Sequence, residues 1–171
     1  MNPGWSDKDA DYNTLFKKAV EIVGEEFIDK VMWYVKYWLP ARSIVQEAFN
    51  NRFSVHDSGR IMYLSQYCPW KQHLYMIEKE NHNTSEWEVL FVLFNDKGNG
   101  TVCVSTVPVP NVTGFQHRKS LLSYFWGLRD EKLSTAAEIP DGVFVHHTGF
   151  LGSTKSFESS LKLALVSMNS S

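Results

Sequence analysis

The chain has 171 residues, the length of one domain and enough to bury a core without disulfides or a structural metal. Hydrophobic residues make up 43% and aromatics 14%, which excludes a disordered chain, and 17 Lys and Arg against 19 Asp and Glu exclude the broad basic surface of non-specific nucleic-acid binding, though not a local basic groove. Cys68 and Cys103 are the only cysteines, too few for a disulfide framework or a four-thiolate zinc site.

The opening MNPGWSDKDAD is polar and acidic, reads as a flexible lead over residues 1–11, and lacks the apolar core of a signal peptide. No run reaches the roughly 18 consecutive apolar residues of a membrane span, so a soluble intracellular protein is expected, cytoplasmic or nuclear, with no membrane partner. Residues 12–50 read as helical. Phe16, Val20, Val23, Phe27, Val31, Tyr34 and Trp38 recur at steps of three and four, the spacing of one helical face. Pro40 predicts an end or bend near Leu39, with a shorter helix from Ala41 to about Asn50. A second stripe, Ile28, Met32, Val35 and Leu39, runs beside Trp33 and Tyr37 and extends the apolar surface beyond an ordinary core face. It reads either as a partner surface or as a wide face buried within the domain.

Residues 51–171 read as sheet and helices. His56-Asp57-Ser58-Gly59 predicts a turn, Arg60 to Gln66 a strand, Lys71 to Glu80 a helix and Trp87 to Phe94 an apolar strand. Asn95 to Gly100 is dense in turn residues and leads into the β-branched run Thr101 to Val107, which predicts an antiparallel hairpin. Pro108 and Pro110 end that strand. Arg129 to Ile139 reads as a helix, Val143 to Val145 as a buried strand, Thr148 to Thr154 as a Gly-bounded loop, and the segment carrying Phe157, Leu161, Ala164 and Leu165 as a final helix. The expected fold is α/β (α+β): a long N-terminal helix pair, a small mixed sheet of about four strands with a β-hairpin, and a C-terminal helix.

Metal-assisted hydrolysis needs carboxylates and histidines in convergent clusters, and only the isolated pairs His56-Asp57 and His146-His147 come near one. Adjacent histidines on a strand point to opposite faces, so one of His146 and His147 is expected buried and the other in a cleft. No G-x-S-x-G nucleophile elbow is present. The loop from Thr148 to Lys155, between strand and helix, offers Gly149, Gly152 and Lys155 for cradling a phosphate, against the simpler reading of a turn whose Ser or Thr caps the last helix. His117-Arg118-Lys119, with Arg129 and Lys132 around Tyr124, Phe125 and Trp126, mixes cations and flat rings as single-strand binders do, although Asp130 and Glu131 offset part of that charge.

Four stretches carry a resemblance: Trp38-Leu39-Pro40-Ala41-Arg42, Cys68-Pro69-Trp70-Lys71-Gln72-His73-Leu74, Trp126-Gly127-Leu128-Arg129-Asp130-Glu131 and Phe144-Val145-His146-His147-Thr148-Gly149-Phe150-Leu151-Gly152. In this order, from about Asn2 to Ala164, the chain resembles the C-terminal half of the Myg (melanocyte proliferating gene) proteins, DHH-type phosphoesterases described as 3′ to 5′ RNA exonucleases. The resemblance implies that the metal-binding histidines and aspartates belong to an N-terminal domain without counterpart in this sequence, so no catalytic residue, metal or cofactor is expected here. It also implies a final loop of Gly-Gly followed by basic residues. This sequence instead has Gly152-Ser153, keeps Lys155, and places Phe157 and Trp126 where the family tends to have arginine. Met32, Val35 and Tyr37 stand where the family carries polar residues. The resulting expectation is a non-catalytic adaptor or scaffold, a pseudoenzyme that binds a protein partner through Ile28, Met32, Trp33, Val35 and Tyr37 in a complex for RNA decay or RNA silencing. The alternative is a single-stranded RNA-binding module that supplies RNA to a nuclease in trans through Arg118, Lys119, Arg129, His146, Gly149, Gly152 and Lys155.

Overall fold

The computed structural model describes residues 2–7, 9–81, 87–112, 114 and 116–170. The chain divides into two compact units, Met1–Pro40 and Ala41–Ser171.

The first unit is built on α1 (Tyr12–Trp33). Asp11 starts it, its carboxylate accepting the Asn13 and Thr14 backbone N–H groups at 3.0 and 3.2 Å and the Thr14 hydroxyl at 2.6 Å. That hydroxyl, followed by the backbone donors, holds the Asp11 carboxyl below the usual carboxylate range. Tyr34–Trp38 form a π-helical turn in which the Leu39 N–H reaches back to the Tyr34 carbonyl, and α2 (Leu39–Asn50) follows. Pro40 accounts for this widening, because its ring crowds the carbonyl four residues earlier and it has no N–H to give. No residue of α1 is buried. The period of its apolar row specified a helix, whereas burial of that row needs a second element, and α1 and its π turn have none within their unit.

The second unit is a five-stranded mixed sheet in the order β1-β2-β3-β5-β4, comprising β1 (Ile61–Leu64), β2 (Phe91–Asp96), β3 (Thr101–Thr106), β4 (Gly142–Val145) and β5 (Leu151–Thr154). β1 runs parallel to β2 across α4 (Lys71–Glu80), and the remaining pairs are antiparallel. The β2–β3 hairpin closes at Asp96 opposite Thr101, where the Asp96 carboxylate accepts the Gly98 N–H and the Asn99 amide. On one face of the sheet, Ala41, Val45 and Phe49 of α2 and Leu74 and Ile77 of α4 pack with Met62, Leu64, Val92 and Phe94. On the other, Leu133 and Ala137 of α5 (Asp130–Ala137) and Leu163 and Ala164 of α6 (Phe157–Asn169) pack with Ile61, Phe91, Leu93 and Val104. The two side-chain sets alternate along each strand, as a sheet covered on both faces requires. α3 (Arg52–Val55) is a single turn before the predicted bend at His56 to Gly59.

Two expectations need correction. Thr148 to Thr154 is not a continuous loop leading to the last helix: Leu151–Thr154 form β5, which inserts between β3 and β4, and Ser156 then caps α6 by accepting the Ser159 N–H. His146 and His147 do not diverge across a strand. They lie beyond the end of β4, with ring centroids 4.2 Å apart.

Candidate functional site

On the face of the sheet that carries α4, a cavity of about 700 Å³ is walled by the start of α4, the ends of β2 and β3, and the first residues of β5. Cys68, Pro69 and Trp70 lead into α4. The Trp70 ring is buried in the core, and the first helical residue, Lys71, is exposed at the cavity wall. Tyr67 and Phe94 form a tilted ring pair with centroids 4.8 Å apart, and His117 stacks on Phe150 at 6.2 Å with 17° between planes. Gln66, Asn95 and Ser105 add polar groups to the lining.

The tautomer of His117 follows from its partners. The Thr106 hydroxyl donates to the Phe150 carbonyl at 3.2 Å and lies 2.7 Å from His117 Nδ1. With its proton directed to the carbonyl, the hydroxyl accepts from Nδ1–H, leaving Nε2 as the acceptor nitrogen. Burial, and then the neighbouring Lys71 charge, hold His117 below the usual imidazole range, with the Thr106 contact opposing. The folded state therefore favours the neutral ring, so the stabilisation is complete above the ordinary imidazole value of 6.5 and falls away as pH drops through the lower folded value. The urea midpoint should fall between about pH 7 and pH 5, and less so in His117→Asn.

Both thiols are buried and reduced. Burial pushes Cys68 up to about 11 and also raises Cys103, whose Sγ lies 3.8 Å from the Ser153 hydroxyl. Neither thiol should alkylate in native protein near neutral pH, whereas both should in urea; intact-mass measurement checks this.

The residues proposed for RNA contact are placed separately. Arg118 is committed to Glu78 of α4 in a two-pronged ion pair at 2.7 and 2.8 Å, both side chains only 8% exposed, and also donates to the Val89 carbonyl. Burial works against its charge, but hydrogen bonding and attraction from Glu78 outweigh that and raise it. Lys119 donates to the Ser170 carbonyl, and the Arg129 guanidinium lies 5.5 Å from the Phe144 ring. His146 Nδ1 accepts the Thr148 N–H, so its proton sits on Nε2. Gly149 lies in the β4–β5 turn under the Trp126 indole, whereas Gly152 is enclosed within β5, where an added Cβ would meet Leu121, Val104 and Val145 at 3.0–3.3 Å. Lys155 is exposed just beyond β5, at the opposite end of that strand from Gly149. Gly149, Gly152 and Lys155 thus do not form one phosphate cradle. Of the partner-stripe residues, Ile28, Met32, Trp33, Val35 and Tyr37 are all exposed.

Tyr67, Thr106 and the cavity role of Lys71 and Phe150 were not singled out from sequence. The available signal was indirect: two of the four motifs, Cys68 to Leu74 and Phe144 to Gly152, supply opposite walls of one cavity through Trp70 and Lys71 and through Phe150 and Leu151.

Comparison with known proteins matches residues 1–168 to the MYG1_exonuc model, described as Uncharacterised protein family (UPF0160). A MYG1 protein of Saccharomyces cerevisiae is 42% identical over 170 residues, which cover 98% of this chain and 49% of that protein. A MYG1 protein of Dictyostelium discoideum is 40% identical over 173 residues, covering 100% and 51% respectively. The MYG1 exonuclease of Rattus norvegicus is 38% identical over 169 residues, covering 98% and 43%. The chain thus spans about half the length of the curated relatives it matches. No solved structure matches. With nearly its whole length matched by the family model and sharing 38–42% identity with these relatives, the chain belongs to the MYG1 family.

Proposed function

We propose that this MYG1-family chain is a non-catalytic docking module, which holds a partner protein through α1 within an assembly for RNA decay or RNA silencing. The observation that carries this reading is the unburied apolar surface of α1 and its π turn, where Ile28 and Tyr37 are 57% and 60% exposed. The chemistry of the partner follows from the charges on the same helix. Glu21, Glu25, Glu26 and Asp29 form an acidic run on the N-terminal side of the stripe, with Lys30 and Lys36 following it, which calls for an apolar surface whose basic rim meets the acidic end. The RNA setting draws on the family resemblance, and the mammalian relatives are named exonucleases.

The test is purification of the tagged protein from its own cells, with and without ribonuclease. A defined protein should survive ribonuclease and be lost from a Met32→Gln, Trp33→Gln, Tyr37→Ser variant, whose circular dichroism stays unchanged. It should also release with rising salt, as the acidic run requires. Equal recovery by the variant would sink the assignment to α1, and recovery that depends on RNA would favour the RNA-binding alternative.

A further inference from the structure

The cavity between α4, the β2–β3 hairpin and the start of β5 has no part in the docking reading, and its chemistry is unlike that of a packing defect. Lys71, Lys97 and His117 face one acid, Asp96, whose carboxylate is already engaged by Gly98 and Asn99. Its apolar surface is largely aromatic, with Tyr67 61% exposed against Phe94. Its volume, about 700 Å³, lies within the range of roughly 300–1,000 Å³ over which small-molecule sites fall.

We propose that this cavity binds a mononucleotide, with the base against Tyr67 and Phe94 and the phosphate held by Lys71 and His117. A flat ring is matched by the exposed Tyr67 ring, backed by the buried Phe94, because stacking is indifferent to which base is present. A phosphate is matched by a lysine next to an imidazole. The Thr106 hydroxyl fixes His117 with Nδ1 as donor to the protein; burial and Lys71 keep the free ring neutral, and a phosphate's negative charge offsets both, so Nε2 gains its proton together with the ligand and donates to a ligand oxygen. The Gln66 and Asn95 amides are suited to the hydrogen-bonding edge of a base.

Isothermal titration of the full chain with the four nucleoside 5′-monophosphates, the corresponding nucleosides and inorganic phosphate tests this. At least one monophosphate should saturate the protein at one site, with the matching nucleoside and inorganic phosphate each at least about tenfold weaker. Lys71→Ala and Tyr67→Ala, both at exposed positions that the fold can spare, should each weaken that monophosphate about tenfold or more, while Lys155→Ala, outside the cavity, leaves it unchanged. Absence of saturable binding by all four monophosphates overturns the proposal. So does binding that is indifferent to Lys71→Ala and Tyr67→Ala, or binding of the nucleoside as tight as that of its monophosphate. None of these results touches the α1 reading, whose test uses substitutions at Met32, Trp33 and Tyr37.

Discussion

Arg118→Met lowers stability by about 3–5 kcal/mol, because it strands the Glu78 carboxylate inside the protein. Glu78 is 6% exposed, and once Arg118 is gone the Val89 N–H at 3.0 Å is the hydrogen-bond donor it keeps. Glu78→Leu should also be destabilising, but by less, since the guanidinium keeps the Val89 carbonyl and has the Glu88 carboxylate 4.0 Å from Nε, although Nε itself makes no hydrogen bond. The double variant separates the cost of the broken pair from that of the groups around it. Replacing both charges removes the stranded ion, but it also leaves the Val89 N–H and carbonyl without their partners, each worth about 1–3 kcal/mol when buried. The double variant is therefore expected to be less stable than the parent by clearly less than the sum of the single losses. Urea midpoints with unchanged slopes would measure this, and strictly additive losses would show that the pair acts as two independent residues. The effect should persist in high salt. By contrast, the Arg42–Glu80 pair, with side chains 36% and 52% exposed, should contribute little at any ionic strength.

Arg118 also shows where sequence reasoning stops. Its neighbours in sequence, Lys119 and several aromatic residues, suggest a cation for RNA, while its partner is 40 positions earlier, on α4. Local signals were reliable when the chemistry was local. The α4 boundaries Lys71–Glu80 match the expected ones, and the turn-rich run Asn95 to Gly100 closes the β2–β3 hairpin. Sequence alone makes residues 151–154 the end of a Gly-bounded loop. The strand character of β5 comes from pairing with β3 on one side and β4 on the other, and both partners are invisible in a short window. The sheet consequently has five strands rather than about four. The α1 row shows the complementary limit, since a period of three and four specifies a helical face but not what covers it. The cavity was the least legible feature. Its walls come from four separated stretches, and only the motifs at Trp70-Lys71 and Phe150-Leu151 hinted that distant residues meet.

Gly149→Ala should cost about 1.5–4.5 kcal/mol, the sum of two effects that can be measured apart: strain at a positive φ, about 1–3 kcal/mol, and loss of one hydrogen bond, about 0.5–1.5 kcal/mol. Gly149 has φ +68°, a conformation that alanine adopts only under strain, and an added Cβ would fall 2.1 Å from Trp126 Nε1. The indole must move. Because Trp126 is 40% exposed it can swing outward, but it then gives up the 2.7 Å hydrogen bond from Nε1 to the Leu121 carbonyl, which ties the 3₁₀ turn Ser123–Phe125 to the segment before it. In a Trp126→Ala background the collision is gone and that bond is already lost, so Gly149→Ala should retain only the strain, about 1–3 kcal/mol. The difference between backgrounds is the coupling of the two residues, expected near 1 kcal/mol or more, and urea unfolding of the four proteins resolves it. Equal costs in both backgrounds would mean that the turn alone demands glycine here. A cost that falls with tryptophan removed would mean that Trp126, standing where the family resemblance expects arginine, requires a residue without Cβ at position 149.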